Sequence, residues 1–256
     1  MDGVALCARF SIATNRLAYC GPADAEPALY EAIVTGRGSA RAREALARFE
    51  ALMPYLEAIG AANERDPFDH DVVEAYWLGN GLLEAVDRPR FTRLLEELTR
   101  RGLPPSIARR LAEHLPAAPL AHHVFHVAFV GVGAVTGHVP TTLPNIESCR
   151  PARASVAALR GEGLEVTGPT VRAEGARLQL EGSSRRSVRF DPKALPSVGV
   201  GSNVVLHWAW PALVLDDARA RELDRWTARS LEAANEALPR LGVSFGTERA
   251  GVTDAT

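Results

Sequence analysis

The chain is short of several things, and each shortage excludes a class of protein. Cysteine is scarce: Cys7, Cys20 and Cys149 are the only three in 256 residues, widely spaced and odd in number. They offer no disulfide framework and no C-x-x-C pair, so three reduced thiols in a reducing compartment are expected. An excess of one charge is lacking as well. A formal net charge of −2 provides no global field to draw in nucleic acid or an anionic membrane. Long apolar runs are missing: the longest, Val124 to Val135, is too short for a membrane span and contains His126 and glycines. The first twenty residues have no basic start followed by an apolar stretch, which fits a cytoplasmic protein better than an exported one. No repeat or low-complexity tract is visible. Gly131-Val132-Gly133 lacks the further glycine and the helix start that a nucleotide loop requires.

What is present is ordinary globular material. Hydrophobic residues make up 46% and charged residues 23%, enough to bury a core in one large domain or two small ones. The N-terminal half reads as helical. Ala28 to Ile33 has a short helical pattern after the turn residues Cys20-Gly21-Pro22. From Ser39 to Ala62, Leu46, Phe49, Leu52, Met53, Leu56 and Ile59 recur at three- and four-residue steps, with Pro54 expected to kink or split the run. A third helix should start at an Asp69 N-cap and continue through Val72, Val73, Tyr76, Trp77, Leu82 and Leu83. Two more follow, Arg90 to Arg101 and Pro105 to Leu115. A helical bundle over residues 25–118 results, inside a domain spanning 1–120. The carboxylates and imidazole of Asp66, Asp69, His70 and Asp71 suit a divalent cation, but negative groups at a helix start have a simpler electrostatic reason. Cys7 and Cys20 read as core or turn thiols, with metal ligation as the alternative.

Residues 121–148 form a histidine-rich junction holding His122, His123, His126 and His138. On a helix, His126 would share a face with His122 or His123, spacing that suits two imidazoles on one metal. Val124-Phe125-His126-Val127-Ala128-Phe129-Val130 has the β-branched and aromatic content of a strand, and a strand would separate those faces. Contact with a metal or substrate and a hydrogen-bonded structural role both remain open.

Beyond residue 149 the pattern changes to short β segments divided by glycine-bearing turns. They are Ser155–Leu159, Leu164–Val166, Thr170–Ala173, Arg177–Leu180, Arg186–Phe190 and Asn203–Trp208. So many short strands suggest a small closed barrel, since closure removes exposed edges. One amphipathic helix, Asp216 to Leu238, follows, with Leu223, Trp226, Leu231 and Leu238 expected to be buried. The fold class is therefore α+β: a helical domain, then an OB-like barrel with its helix over 149–240, then a tail over 241–256.

The run Val198-Gly199-Val200-Gly201-Ser202-Asn203-Val204-Val205-Leu206-His207-Trp208-Ala209-Trp210 resembles the strand V-G-D-Y-V-L-V-H-x-G-F-A of the HypC/HupF/HybG hydrogenase-maturation chaperones. Leu215-Asp216-Asp217-Ala218-Arg219-Ala220-Arg221-Glu222-Leu223 is similar to the acidic turn and helix start of that family, and Cys149 stands seven residues before Val156, where the family places its cysteine. The resemblance covers Cys149 to Ala234. The chain departs from the pattern in having the cysteine internal, Pro151 two residues after it rather than four, and Trp208 and Trp210 in place of smaller residues. The helical half has no counterpart in the family.

The resemblance implies a maturation chaperone that helps a partner hold an iron carrying cyanide and carbon monoxide, carrying or docking that unit, and passes it to a hydrogenase large subunit. Cys149 and His207 inherit the ligand role and are expected on one accessible face, and a maturation protein or the large subunit is the implied partner. A thiolate with an imidazole is a suitable donor set for such iron. His123 and His126 join as candidate metal contacts, and Trp208 and Trp210 as candidate partner contacts. A carrier rather than a catalyst is expected. One alternative is a metal-dependent enzyme built on His122, His123 and His126. Another is a nucleic-acid-binding barrel, suggested by Arg153, Arg160, Arg172, Arg177, Arg185, Arg186, Arg189 and Lys193 but lacking aromatic stacking platforms.

Overall fold

The structure, a computed structural model of the chain, describes residues 1–245 and 247–249. Helices come first: α1 (Gly3–Arg16), α2 (Glu26–Thr35), α3 (Ala40–Ala47), α4 (Leu52–Ala62), α5 (His70–Trp77), α6 (Arg88–Arg100) and α7 (Pro105–Glu113). The caps are those the sequence supplies. Asp69 accepts from the Asp71 N–H at 2.9 Å and Asp87 from the Arg90 N–H at 3.0 Å, each satisfying an otherwise orphaned donor. The run 39–62 is split into α3 and α4, with Pro54 in the first turn of α4, where its missing N–H costs little. The third helix stops at Trp77, short of the expected Leu83, and a separate 3₁₀ turn covers Gly81–Ala85. Gly79 lies between them with φ +89°, and a Cβ there would meet Trp226 Cγ at 2.3 Å, so helix α5 must end before it.

The bundle also starts earlier than expected. Helix α1 is buried along nearly its whole length and packs against α2, α3 and α5. A helix surrounded by protein needs no polar face, which is why periodicity did not reveal it. The Val124–Val130 strand is likewise replaced by helix: α8 (His123–Phe125) runs into a π-helical turn at His126–Gly131. Every residue from Leu120 to Val132 is buried, so the β-branched content reflects burial on all sides. Helix α9 (Leu143–Cys149) then delivers the chain to the sheet.

The closed barrel is not formed. Strands β1 (Ala152–Arg160), β2 (Gly163–Glu174), β3 (Arg177–Arg189), β4 (Asn203–His207) and β5 (Trp210–Leu215) make an open antiparallel sheet in the order β3-β2-β1-β4-β5. Leu164–Val166 and Thr170–Ala173 are one strand, β2, whose register slips between Gly168 and Thr170 around Pro169. The two arginine-flanked segments expected at 177–180 and 186–190 likewise merge into β3. No ladder joins edge strand β3 to edge strand β5. A short strand, β6 (Thr247–Arg249), extends the sheet beside β2 within the expected tail; the remainder, residues 250–256, lies outside the described residues.

Helix α10 (Asp217–Ala237) follows β5 and buries Leu223, Trp226 and Leu231. Asn235 pairs with both backbone groups of Leu178 at 2.8 Å, and Arg153 grips Asp224 at 2.8 Å, which fixes the helix to the sheet. One apolar core runs from α1 through the helices to Val171, Val205 and Leu215 of the sheet and Trp226 of α10. Full burial of a side chain such as Phe10 or Phe91 contributes about 1.5–3 kcal/mol. A smaller cluster around Val156, Val166 and Val204 fills the other face of the sheet. The seam between helices and sheet holds the polar groups described next.

Candidate metal centre

Three polar side chains from distant parts of the chain meet at that seam. Cys149 is the last residue of α9, His207 the last of β4, and His123 the first of α8. The Cys149 Sγ lies 3.6 Å from His123 Nε2 and 3.9 Å from His207 Nε2. One donor atom from each of the three falls within 4.8 Å of the others. A tetrahedral metal at about 2.3 Å from sulfur and about 2.0–2.1 Å from imidazole separates such donors by about 3.6 Å, so this set fits one metal ion with little movement.

Outer partners orient the imidazoles. His207 Nδ1 is 2.7 Å from the Phe10 carbonyl, which can only accept, so Nδ1 carries the proton and the Nε2 lone pair faces the sulfur. Tyr76 donates its O–H to His123 Nδ1 at 2.8 Å, and His123 Nε2–H then donates to the Cys149 carbonyl at 3.1 Å. Ligation through His123 Nε2 requires the other tautomer, in which Nδ1–H donates to the Tyr76 oxygen. Burial pushes the Cys149 thiol up, Cys20 adds to the shift, and the Trp208 indole N–H opposes it. Burial likewise lowers His207 to about 4, against the hydrogen bonds to Phe10 and Cys149. It drives His123 well down, with the neighbouring His207, His126 and His122 adding to the effect. At neutral pH the centre is thus a thiol and two neutral imidazoles, and a metal would displace the thiol proton on binding.

The expectation that Cys149 and His207 share an accessible face is overturned. They are adjacent but buried, at 8% and 1% exposure, because the helical half covers that face of the sheet. His126 does not join the donor group. It stacks beside His123 at 5.9 Å and bonds Tyr55 through Nδ1 at 2.9 Å. His122 turns the other way, to Ser230 at 2.9 Å, so His122, His123 and His126 do not form the ligand set of the enzyme alternative. His138 is exposed.

A cavity of about 60 Å³ adjoins the donors. Half-buried Tyr19, Cys20, Thr136 and Trp208 border it, and none of its lining residues is acidic. By the scale of about 10–15 Å³ for one water-sized probe, it has room for a few water-sized or diatomic groups. Trp208 packs on Tyr19 with ring centres 4.8 Å apart. Its placement comes from a two-residue hairpin turn in which Trp208 and Ala209 both have positive φ, 52° and 59°. Such turns favour Asn-Gly, so Trp-Ala carries backbone strain beside the centre. Trp210 is half-buried beneath the Arg16 guanidinium, which lies 5.2 Å from its ring.

Next to the cysteine lies a network that the sequence reading missed. Glu147 takes both arms of Arg150 at 2.8 and 3.0 Å, the Val171 N–H at 2.8 Å and Arg186 Nη1 at 2.8 Å. The i,i+3 spacing of Glu147 and Arg150 was a readable helix-pair signal. The orienting roles of Tyr76 and the Phe10 carbonyl left no sequence signal. All three cysteines are free thiols, and Cys20 borders the cavity without belonging to the donor group. His70, Asp71 and Glu74 form a second close group at the start of α5, half-exposed, with Arg65 paired to Asp71 at 3.0 Å. Of the basic residues suggesting nucleic acid, Arg153, Arg160, Arg172, Arg186 and Arg189 are paired with carboxylates. No helix among the described residues is long and apolar enough to cross a membrane.

No curated protein and no solved structure matches the chain. One family model does, over residues 1–240, and it spans the helices, the sheet and the centre alike. The chain belongs to that family, DUF6390, a family of unknown function.

Proposed function

We propose that the chain is an accessory protein for assembling an iron-containing enzyme of the [NiFe]-hydrogenase type, and that it holds the iron unit at Cys149, His207 and His123. The observation that carries the reading is the 3.9 Å approach of Cys149 Sγ to His207 Nε2, because these are the two residues singled out by the resemblance to the HypC/HupF/HybG chaperones. The iron unit is cargo here. Three protein donors leave coordination positions for the small ligands it brings, and few protein bonds must break on release. The cavity suits diatomic ligands in size, its walls are largely apolar, and the Trp208 indole N–H beside the sulfur can donate to an anionic one. No carboxylate lines the site, and His126, the lining imidazole outside the donor group, is engaged by Tyr55.

The test uses a strain producing a [NiFe]-hydrogenase. Protein isolated without oxygen should show cyanide and carbon monoxide stretches in the infrared and should co-purify with a maturation protein or the large subunit. The double variant Cys149→Ser, His207→Gln should lose the infrared bands and depress hydrogenase activity while keeping its circular dichroism. Full hydrogenase activity in a strain carrying only that variant contradicts the proposal.

A further inference from the structure

A larger cleft, of about 1090 Å³, opens on the other side of Trp208, between the end of α1, α9 and β3. Among the described residues, seven buried side-chain nitrogens and oxygens have no hydrogen-bond partner. Two of them, the indole N–H groups of Trp77 and Trp208, face the sulfurs of Cys7 and Cys149. Of the five others, three belong to two residues lining this cleft: Arg186 Nε, Arg186 Nη2 and Trp210 Nε1. All three are donors. Leaving such groups buried and unmade costs about 1–3 kcal/mol each, more for a charged one, so unmet donors on two residues of one cleft call for an acceptor.

The Arg186 atoms identify its chemistry. Nη1 is taken by Glu147 at 2.8 Å, while Nε–H and Nη2–H, the side-on edge of the guanidinium, are both unmet. That edge matches two oxygens of a carboxylate or phosphate. Arg16, Arg189 and Lys193 also line the cleft, against Glu147, Glu162 and Asp191. Glu147 is already held by Arg150 as well as Arg186, so the balance at the Arg186 end is cationic. Tyr30, Phe190, Trp208 and Trp210 supply aromatic walls.

We propose that this cleft binds a small organic anion, its phosphate or carboxylate gripped side-on by Arg186 with the Trp210 indole N–H, and its body against the aromatic walls. The inference does not rest on the metal reading, and its test contains no metal. Full-length ¹⁵N-labelled protein in chloride buffer is titrated at constant ionic strength with inorganic phosphate and, separately, with acetate. The Arg186 Nε–H and Trp210 indole signals should shift saturably with at least one anion, while the Trp77 indole stays in place. A response to phosphate alone assigns a phosphate-bearing ligand, and a response to acetate alone a carboxylate. Arg186→Lys keeps the charge beside Glu147 but loses the fork, and should bind about tenfold more weakly. Trp210→Phe identifies the indole signal. No saturable shift with either anion overturns the proposal, as does unchanged affinity in Arg186→Lys. Should that variant unfold, the wild-type titration decides alone.

Discussion

Two buried polar clusters lie within three residues of each other, and they are built on opposite principles. Around Glu147, charge is dense and nearly every lone pair of the carboxylate is used: Arg150, Arg186 and the Val171 N–H converge on it. Around Cys149 there is no charge. A neutral thiol and two neutral imidazoles face one another at 3.6 and 3.9 Å, each imidazole fixed from behind by a partner outside the group. The first arrangement uses up its carboxylate and ties the last turn of α9 to β2. The second leaves the Cys149 sulfur and the His207 Nε2 lone pair facing each other, and a tautomer change adds the His123 Nε2 lone pair to them. Burial alone therefore does not separate a scaffold from a site; the use of the lone pairs does.

Breaking the scaffold should cost most. Glu147→Gln leaves Arg150, at 2% exposure, without its counter-ion, and should destabilise the protein by about 3–5 kcal/mol in denaturant unfolding. A cost under about 1 kcal/mol would mean that the pair is dispensable and that α9 is held by its apolar contacts.

Acidification should act on the other cluster. Burial lowers His122 to about 3 and His126 and His207 to about 4, and drives His123 down as well. The unfolded chain takes up these protons near pH 6.5, whereas the folded protein refuses them until well below that. Stability is thus fully present above about pH 6.5 and falls as pH drops toward 4, by on the order of a few kcal/mol. Urea unfolding at several pH values measures this, and His126→Gln, which cannot protonate, should flatten the profile. Equal stability at pH 7.5 and 5 would show that these imidazoles are not buried neutral.

The smallest effect concerns the turn joining β4 to β5. Ala209 is exposed with φ 59°, a conformation glycine adopts freely, so Ala209→Gly should stabilise the fold by about 1 kcal/mol. A thermal melt measures the gain. A loss instead would show that the strain is compensated by contacts of the Ala209 methyl.

How far the fold can be read from the sequence depends on polar faces. α6 and α10 are half-exposed and carry apolar stripes, α4 and α5 are more buried but keep a polar edge, and all four were legible from spacing and caps. α1 and the turn through His126 are surrounded by protein and have no stripe to read, so one was overlooked and the other resembled a strand. β5 begins Trp210-Pro211 after a Trp-Ala turn, and neither feature announces a hairpin. Closure of the sheet is a global property of curvature and register that short apolar segments do not encode. At the centre, Cys149 and His207 stood out through a family resemblance and His123 through composition. Their orientation by Tyr76 and the Phe10 carbonyl depends on a packing of α5 and α1 against the sheet that no local pattern contains.

The central claim is that the neutral cluster is a metal site centred on the Cys149 sulfur, and anaerobic titration of the native protein with cobalt(II) tests it most directly. A thiolate ligand gives a sulfur-to-cobalt charge-transfer absorption that imidazole and carboxylate ligands do not. The wild type should develop that band and saturate at one equivalent, with Cys20→Ala behaving the same, and Cys149→Ser should abolish it. Absence of the band in the wild type, or its persistence in Cys149→Ser, would contradict the account.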